Sequence, residues 1–202
     1  MDIDKTVKAL KRNRYHVSVF DTAVQAADYL DRELDGEVIG FGDSKTMIVM
    51  DLYKRLSAHN EVHDPNHSRN NDEFLRIAKE CLTTDIYLTS VNAMSETGEM
   101  VNIDGTGNRI AGSLFGHEKV YFIAGTNKIE PDLEKAIWRA RNIAAPLNSK
   151  KYDLQTPCVI KGDKCYDCAS PDRICNAMTI YMKKMNDIED VEVILIKEEL
   201  GF

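Results

Sequence analysis

Short apolar runs alternate along the chain with windows whose apolar residues recur every three or four positions, the pattern of strands followed by amphipathic helices. Tyr15 to Phe20 reads as the first strand. Asp21 and Thr22 then offer helix caps, with Gln25 three residues after Thr22 as in a capping box. Ala23, Ala26, Ala27, Leu30 and Leu34 follow at helical spacing, and Gly36 supplies a stop. A second strand, Glu37 to Phe41, runs into a glycine turn, with a helix expected from Lys45 to Ser57. Phe74, Ile77, Ala78, Cys81 and Leu82 mark another helix face, and Ile86 to Thr89 another strand. Ser95 to Asp104 reads as a hairpin turning at Thr97-Gly98.

Beyond the hairpin, a helix is expected over Asn108 to Phe115 and a buried strand over Val120 to Ala124. Leu133, Ala136, Ile137, Ala140 and Ala144 form the core face of a further helix, which Pro146 is expected to end. The last elements read as a helix from Ile174 to Lys184 and a strand from Val191 to Ile196. This alternation predicts an α/β fold, a mainly parallel sheet flanked by helices on both faces.

No repeat, low-complexity tract or linker interrupts the pattern, so residues 1–202 are expected to form one domain with a short Cys-rich C-terminal appendage at 157–176. The composition is that of a soluble globular chain, 43% hydrophobic and 29% charged, which excludes disorder as the main state. Lys and Arg number 26 against 33 Asp and Glu, a net charge of -7. That balance argues against nucleic-acid binding, and an anionic ligand would need local donors against an unfavourable overall field. No apolar run approaches the roughly 20 residues of a membrane span. The first residues also lack the apolar stretch of a signal peptide, so a cytoplasmic location without membrane association is expected.

Two glycine turns carry the candidate chemistry. In Gly40-Phe41-Gly42-Asp43-Ser44-Lys45-Thr46, two glycines between strand and helix allow a tight turn whose N–H groups can converge on an anion. Ser44, Lys45 and Thr46 add donors. The spacing matches neither a Walker A loop nor G-x-G-x-x-G, so no nucleotide cofactor is evident. The alternative is a plain strand-to-helix turn capped by Ser44.

The second turn follows the strand ending at Thr89 and is dense in Asn, Ser, Thr, Glu and Gly. Asn92, Asp104, Gly105, Thr106, Gly107, Asn108 and Arg109 are candidate ligand contacts there, with Arg109 expected to grip an anion bidentately. Glu96 is the candidate catalytic group, as a general base raised in pKa by burial or as a nucleophile. The alternative leaves Glu96 on a solvated hairpin and Asp104 as a helix cap.

The order GFGDSKT, NAMSETGEMVNIDGTGNRIAG, VYFIAGTNKI and a closing VEVILIKEELG resembles the LUD (lactate utilisation) domain family, over nearly the whole chain. That family is similar to the sugar-phosphate isomerase and CoA-transferase-like superfamily. The resemblance implies that the 40–46 turn matches a phosphate-binding loop and Gly105–Arg109 a second ligand loop. Where the isomerases carry a catalytic Asp in Gly-Ala-Asp, this chain has Asn92-Ala93-Met94, and neutral Asn is no carboxylate base. The implied role lies in lactate or small hydroxy-acid metabolism, on a phosphate, carboxylate or CoA-type anion, beside iron–sulfur oxidoreductase partner proteins.

Cys158, Cys165, Cys168 and Cys175 gather in a stretch where a reduced compartment disfavours disulfides. Four soft thiolates invite a metal, with an Fe–S cluster ranked ahead of zinc and metal-free thiols or disulfides third. Such a site would be structural with zinc, and would serve an accessory or redox-sensing subunit with Fe–S. Of the remaining singular residues, Cys81, Tyr15 and Trp138 read as packing residues. His59, His63 and His67 recur every four positions, but Pro65 interrupts that spacing and places them in a loop.

Overall fold

The structure, a computed structural model, describes residues 1–202. In chain order its first half comprises α1 (Ile3–Arg12), β1 (His16–Phe20), α2 (Ala23–Glu33), β2 (Val38–Phe41), α3 (Lys45–Val49), α4 (Leu52–Leu56), β3 (Glu61–His63), α5 (Asn71–Glu80) and β4 (Ile86–Thr89). The second half continues with β5 (Ala93–Ser95), β6 (Met100–Asp104), α6 (Asn108–Leu114), β7 (Lys119–Gly125), β8 (Ile129–Glu130), α7 (Leu133–Arg139), α8 (Ala145–Lys151), α9 (Pro157–Lys161), β9 (Ala177–Tyr181) and β10 (Asp190–Ile196).

Six strands in the order β1-β10-β7-β4-β2-β3 form an all-parallel sheet. The central strands show why it needs cover on both sides. Successive side chains of a strand point to opposite faces. Val191, Val193 and Leu195 of β10 join Val120, Phe122 and Ala124 of β7 in one core, with Leu10 of α1 and Ile77 of α5. Ile194 and Ile196 join Tyr121 and Ile123 in the other, under Ala26, Ala27 and Leu30 of α2 and Leu52 and Leu56 of α4. The expected α/β class is the observed one.

A second sheet, β8-β5-β6-β9, carries the predicted hairpin and packs its Ala93 and Val101 against Ala136 and Ala140. Its edge strand β9 replaces the helix expected over 174–184. Apolar spacing there fits both periods, but Thr179 and Ile180 are β-branched, and β6 offers a free edge that pairs with β9 from Met100↔Tyr181 to Asp104↔Ala177.

Two helices also differ from expectation. The helix expected over 45–57 breaks into α3 and α4 at Asp51, whose φ of 52° is left-handed. The helix expected to stop at Pro146 instead continues. Residues Ala140–Ala144 form a π-helical turn, and Pro146 falls in the first turn of α8, where a missing N–H costs little. The N-terminal residues, expected only to lack a signal peptide, form α1 with Asp2 as its cap. No helix is long and apolar enough to cross a membrane.

Candidate functional site

The carboxyl ends of β2, β4 and β7 open onto a cleft of about 700 Å³, where ligands of open parallel sheets sit. Both predicted loops reach it. Ser44 and Lys45 line it from the first; Asn92, Asp104, Gly105, Thr106, Asn108 and Arg109 line it from the second. Thr46 stands just behind.

The glycines play a different part from the one expected. A Cβ on Gly40 would meet the Cys81 carbonyl oxygen at 2.7 Å, and one on Gly42 the Tyr87 hydroxyl at 2.7 Å. Close packing, rather than approach to an anion, requires glycine at both, and neither lines the cleft. Gly107 has φ +92° and starts α6 in a left-handed turn. Asp104 closes that turn: its carboxylate accepts from the N–H groups of Gly107 (3.1 Å) and Ile110 (3.0 Å). It is the helix cap of the alternative reading. Ser44 likewise caps α3.

Arg109 is held by neutral acceptors. Its guanidinium donates to the Asn102 side chain (3.2 Å), the Asn92 side chain (3.2 Å), the Ile103 carbonyl (2.7 Å) and the Ser90 carbonyl (3.5 Å). Four of five donors are therefore engaged within the protein. No carboxylate pairs with it, so its charge remains available to a ligand. Of the other charged wall groups, Asp43 accepts from Tyr152 (2.9 Å) and lies 3.7 Å from Lys151, while Lys45 is exposed without an ion pair.

The residue that sequence reasoning missed is Lys128. It follows β7, lines the cleft and is only 3% exposed. Its ammonium donates to Thr46 Oγ1 (3.1 Å) and Ser90 Oγ (3.0 Å) and has no carboxylate partner. Burial, then the nearby Arg139 and Arg109, push its pKa down to about 7. The only signal in the chain was the position of Gly125-Thr126-Asn127-Lys128 at a strand's carboxyl end. Its two partners lie far away in sequence.

Glu96 lies outside the cleft. Its carboxylate accepts from Lys5 Nζ (3.0 Å) and the Asp2 N–H (2.7 Å), and sits 3.5 Å from the Met1 amine. These contacts hold its pKa below the usual carboxylate range, the reverse of what a base raised by burial requires. Glu96 therefore anchors the start of α1 to the hairpin. Glu96→Gln is expected to leave ligand binding in the cleft unchanged and to speed amide exchange in α1. Hydrogen-exchange and binding measurements on the variant check both.

The Cys-rich segment reaches the cleft only at its C-terminal end. Ile174, Cys175 and Asn176 line the cleft, and Cys165 and Cys175 share a smaller pocket with Arg141 and Arg173. All four cysteines are free. Burial raises the Cys175 thiol, and Arg173 partly offsets that. Cys158 sits on α9, 3.2 Å from the Thr156 hydroxyl. Thiolates about 2.3 Å from one zinc lie within about 4 Å of one another. No three of these sulfurs lie within 4.8 Å, so the arrangement does not fit a four-thiolate zinc centre.

The remaining singular residues divide. Cys81 and Tyr15 are buried as expected, whereas Trp138 is 54% exposed on α7, contrary to a packing role. His59, His63 and His67 each pair with nearby carboxylates, and the loop expectation holds only for His59, since His63 ends β3 and His67 closes a short 3-10 turn.

Fold and site together define an α/β protein with a polar cleft at the carboxyl edge of a parallel sheet. The LUD domain matches residues 3–196, and the chain belongs to that family. The crystal structure of a DUF162 family protein from Deinococcus radiodurans is similar in fold, at 12% identity and a TM-score of 0.56. The match covers 96% of this chain and 95% of that one. No curated protein matches in sequence.

Proposed function

We propose that the cleft binds a small anionic metabolite, a phosphate, carboxylate or CoA-type group, in lactate-like hydroxy-acid metabolism. One observation carries the reading: Lys128 and Arg109 bring two cationic side chains to one cleft, and neither has a carboxylate partner. The two wall aspartates do not offset them, because Asp104 caps α6 and Asp43 is paired with Tyr152 and Lys151. A volume of about 700 Å³ falls within the roughly 300–1,000 Å³ of small-molecule sites.

Thermal unfolding with inorganic phosphate, L-lactate and pyruvate tests this. A ligand at about 100 times its Kd stabilises the fold by ~2.7 kcal/mol. At least one of the three is expected to raise Tm, and to do so less as salt rises. A Tm unmoved by all three ends the reading.

A second reading rests on the cysteines. Cys165 and Cys168 lie near enough to act on the Cys175 thiol, beside Arg141 and Arg173. An Fe–S cluster is wider than a single ion, and its holder would serve as an accessory or redox-sensing subunit beside iron–sulfur oxidoreductase partners. Iron and sulfide in about equal amounts after anaerobic purification are expected on that reading. Protein free of both excludes it.

A further inference from the structure

Lys128 is poorly built for a purely ionic task. A lysine that only holds an anion works best protonated, with carboxylates nearby to keep it so. Here the ammonium is buried, its two partners are neutral hydroxyls, and its charged neighbours are arginines. All three features favour the free amine. Near pH 7 the fraction of free amine is about a thousandfold larger than for an exposed lysine. A desolvated amine of this kind, lining a cleft, is a nucleophile for carbonyl carbons.

The two groups also contact one residue. Ser90 accepts from Lys128 through its hydroxyl at 3.0 Å and from Arg109 through its carbonyl at 3.5 Å. A ligand serving both must carry a carbonyl next to an anionic group. We propose that the cleft takes a short 2-oxo acid whose carbonyl carbon condenses with Lys128 Nζ while its carboxylate lies in the field of Arg109. The proposal rests on the reading of the cleft as an anion site and adds the substrate class and a covalent step.

In that step the Nζ lone pair adds to the carbonyl carbon, and the carbonyl oxygen takes up a proton, giving a carbinolamine. That oxygen then leaves as water and a C=N bond forms. The balance is one amine plus one carbonyl giving one imine plus one water, with no oxidant or reductant. Thr46 and Ser90, both in contact with Nζ, are placed to relay the protons. Protonation of the imine restores a positive charge beside the ligand's carboxylate.

Reductive trapping tests the step. The full chain is incubated with pyruvate and sodium cyanoborohydride near pH 7, then analysed by intact mass and peptide mapping. One reduced pyruvate adduct per chain is expected, on Lys128. It is expected to be absent from Lys128→Met, slowed at least tenfold in Arg109→Ala, and suppressed by excess L-lactate, which has the carboxylate without the carbonyl. Circular dichroism confirms that each variant is folded.

Labelling spread equally over Lys45, Lys151 and other exposed lysines overturns the proposal. So does a rise in Tm with pyruvate and no adduct at Lys128, and that outcome leaves the anion reading standing. If neither pyruvate, L-lactate nor phosphate changes Tm and no adduct forms, the anion reading fails and the covalent step fails with it.

Discussion

Lys128→Met is expected to make the protein more stable and to bind its anion more weakly. The wild-type side chain is buried against two hydroxyls with no countercharge, and its pKa is pushed down to about 7 by burial and two arginines. Methionine fills a similar space without a charge to desolvate. Replacing even a buried ion pair by well-packed apolar groups is neutral or stabilising by about 1–4 kcal/mol, and Lys128 lacks the countercharge that offsets desolvation in such a pair. For a chain of this size each kcal/mol is worth about 2–4 °C in Tm. The hydroxyls left behind keep partners, since Thr46 also donates to the Leu200 carbonyl and Ser90 to Thr46.

The pH dependence of the gain has a definite sign. Lys128 has a folded-state pKa below its unfolded value, so from about pH 7 to roughly 10.4 the unfolded chain binds the extra proton and wild-type stability rises with pH. The penalty is full below about pH 7, where the folded protein must carry the cation, and it is gone above the unfolded value. The advantage of Lys128→Met is thus largest in mild acid and shrinks towards alkaline pH. Urea unfolding at about pH 6 and about pH 10 measures it. A variant less stable than wild type at the lower pH would contradict the account.

Arg109→Ala is expected to fail in both respects. Its guanidinium ties the Asn92 and Asn102 side chains to the Ser90 and Ile103 carbonyls, joining the end of β4 to β6. Hydrogen bonds from a charged donor contribute about 1.5–3 kcal/mol each, so a stability loss above ~3 kcal/mol is expected. Anion affinity falls with the lost charge, on the order of tenfold to a hundredfold. Arg109→Lys separates the two roles. The ammonium keeps the charge but lacks the planar fork that spans four acceptors. It is expected to lose most of the stability while retaining part of the affinity. Full stability in Arg109→Lys would show that the four bonds are dispensable.

The parts of this molecule that were legible in its sequence are those fixed by neighbours along the chain. The run at 191–196 announces a strand covered on both faces, and the Thr22–Gln25 capping box forms as written. The hairpin turn at Gly98 needs its positive φ and has it. What was hidden depends on distant partners. Lys128 is ordinary until Thr46 and Ser90 are folded around it. Glu96 reads as a free carboxylate until α1 arrives more than ninety residues back in the chain. Strand β9 is decided by the open edge of β6, because its own spacing is ambiguous between helix and strand. The glycine loops were found in the right place for a partly wrong reason, since Gly40 and Gly42 are selected by packing.

The π-helical turn at Ala140–Ala144 has a consequence for how the cleft is assembled. It holds one more residue than an α-helical turn would, and it presents Arg141 and Asn142 to the cysteine wall: Arg141 pairs with Asp167 at 3.2 Å, and Asn142 accepts from the Cys165 N–H at 3.1 Å. The next helix brings Asn148 and Lys151 to the cleft. Each α-helical residue advances the chain by about 100° around the axis. Deleting a single residue here would restore a regular helix and swing Asn148 and Lys151 about a quarter-turn or more off the cleft. One peptide unit thus sets the phase between two walls that touch the same ligand space.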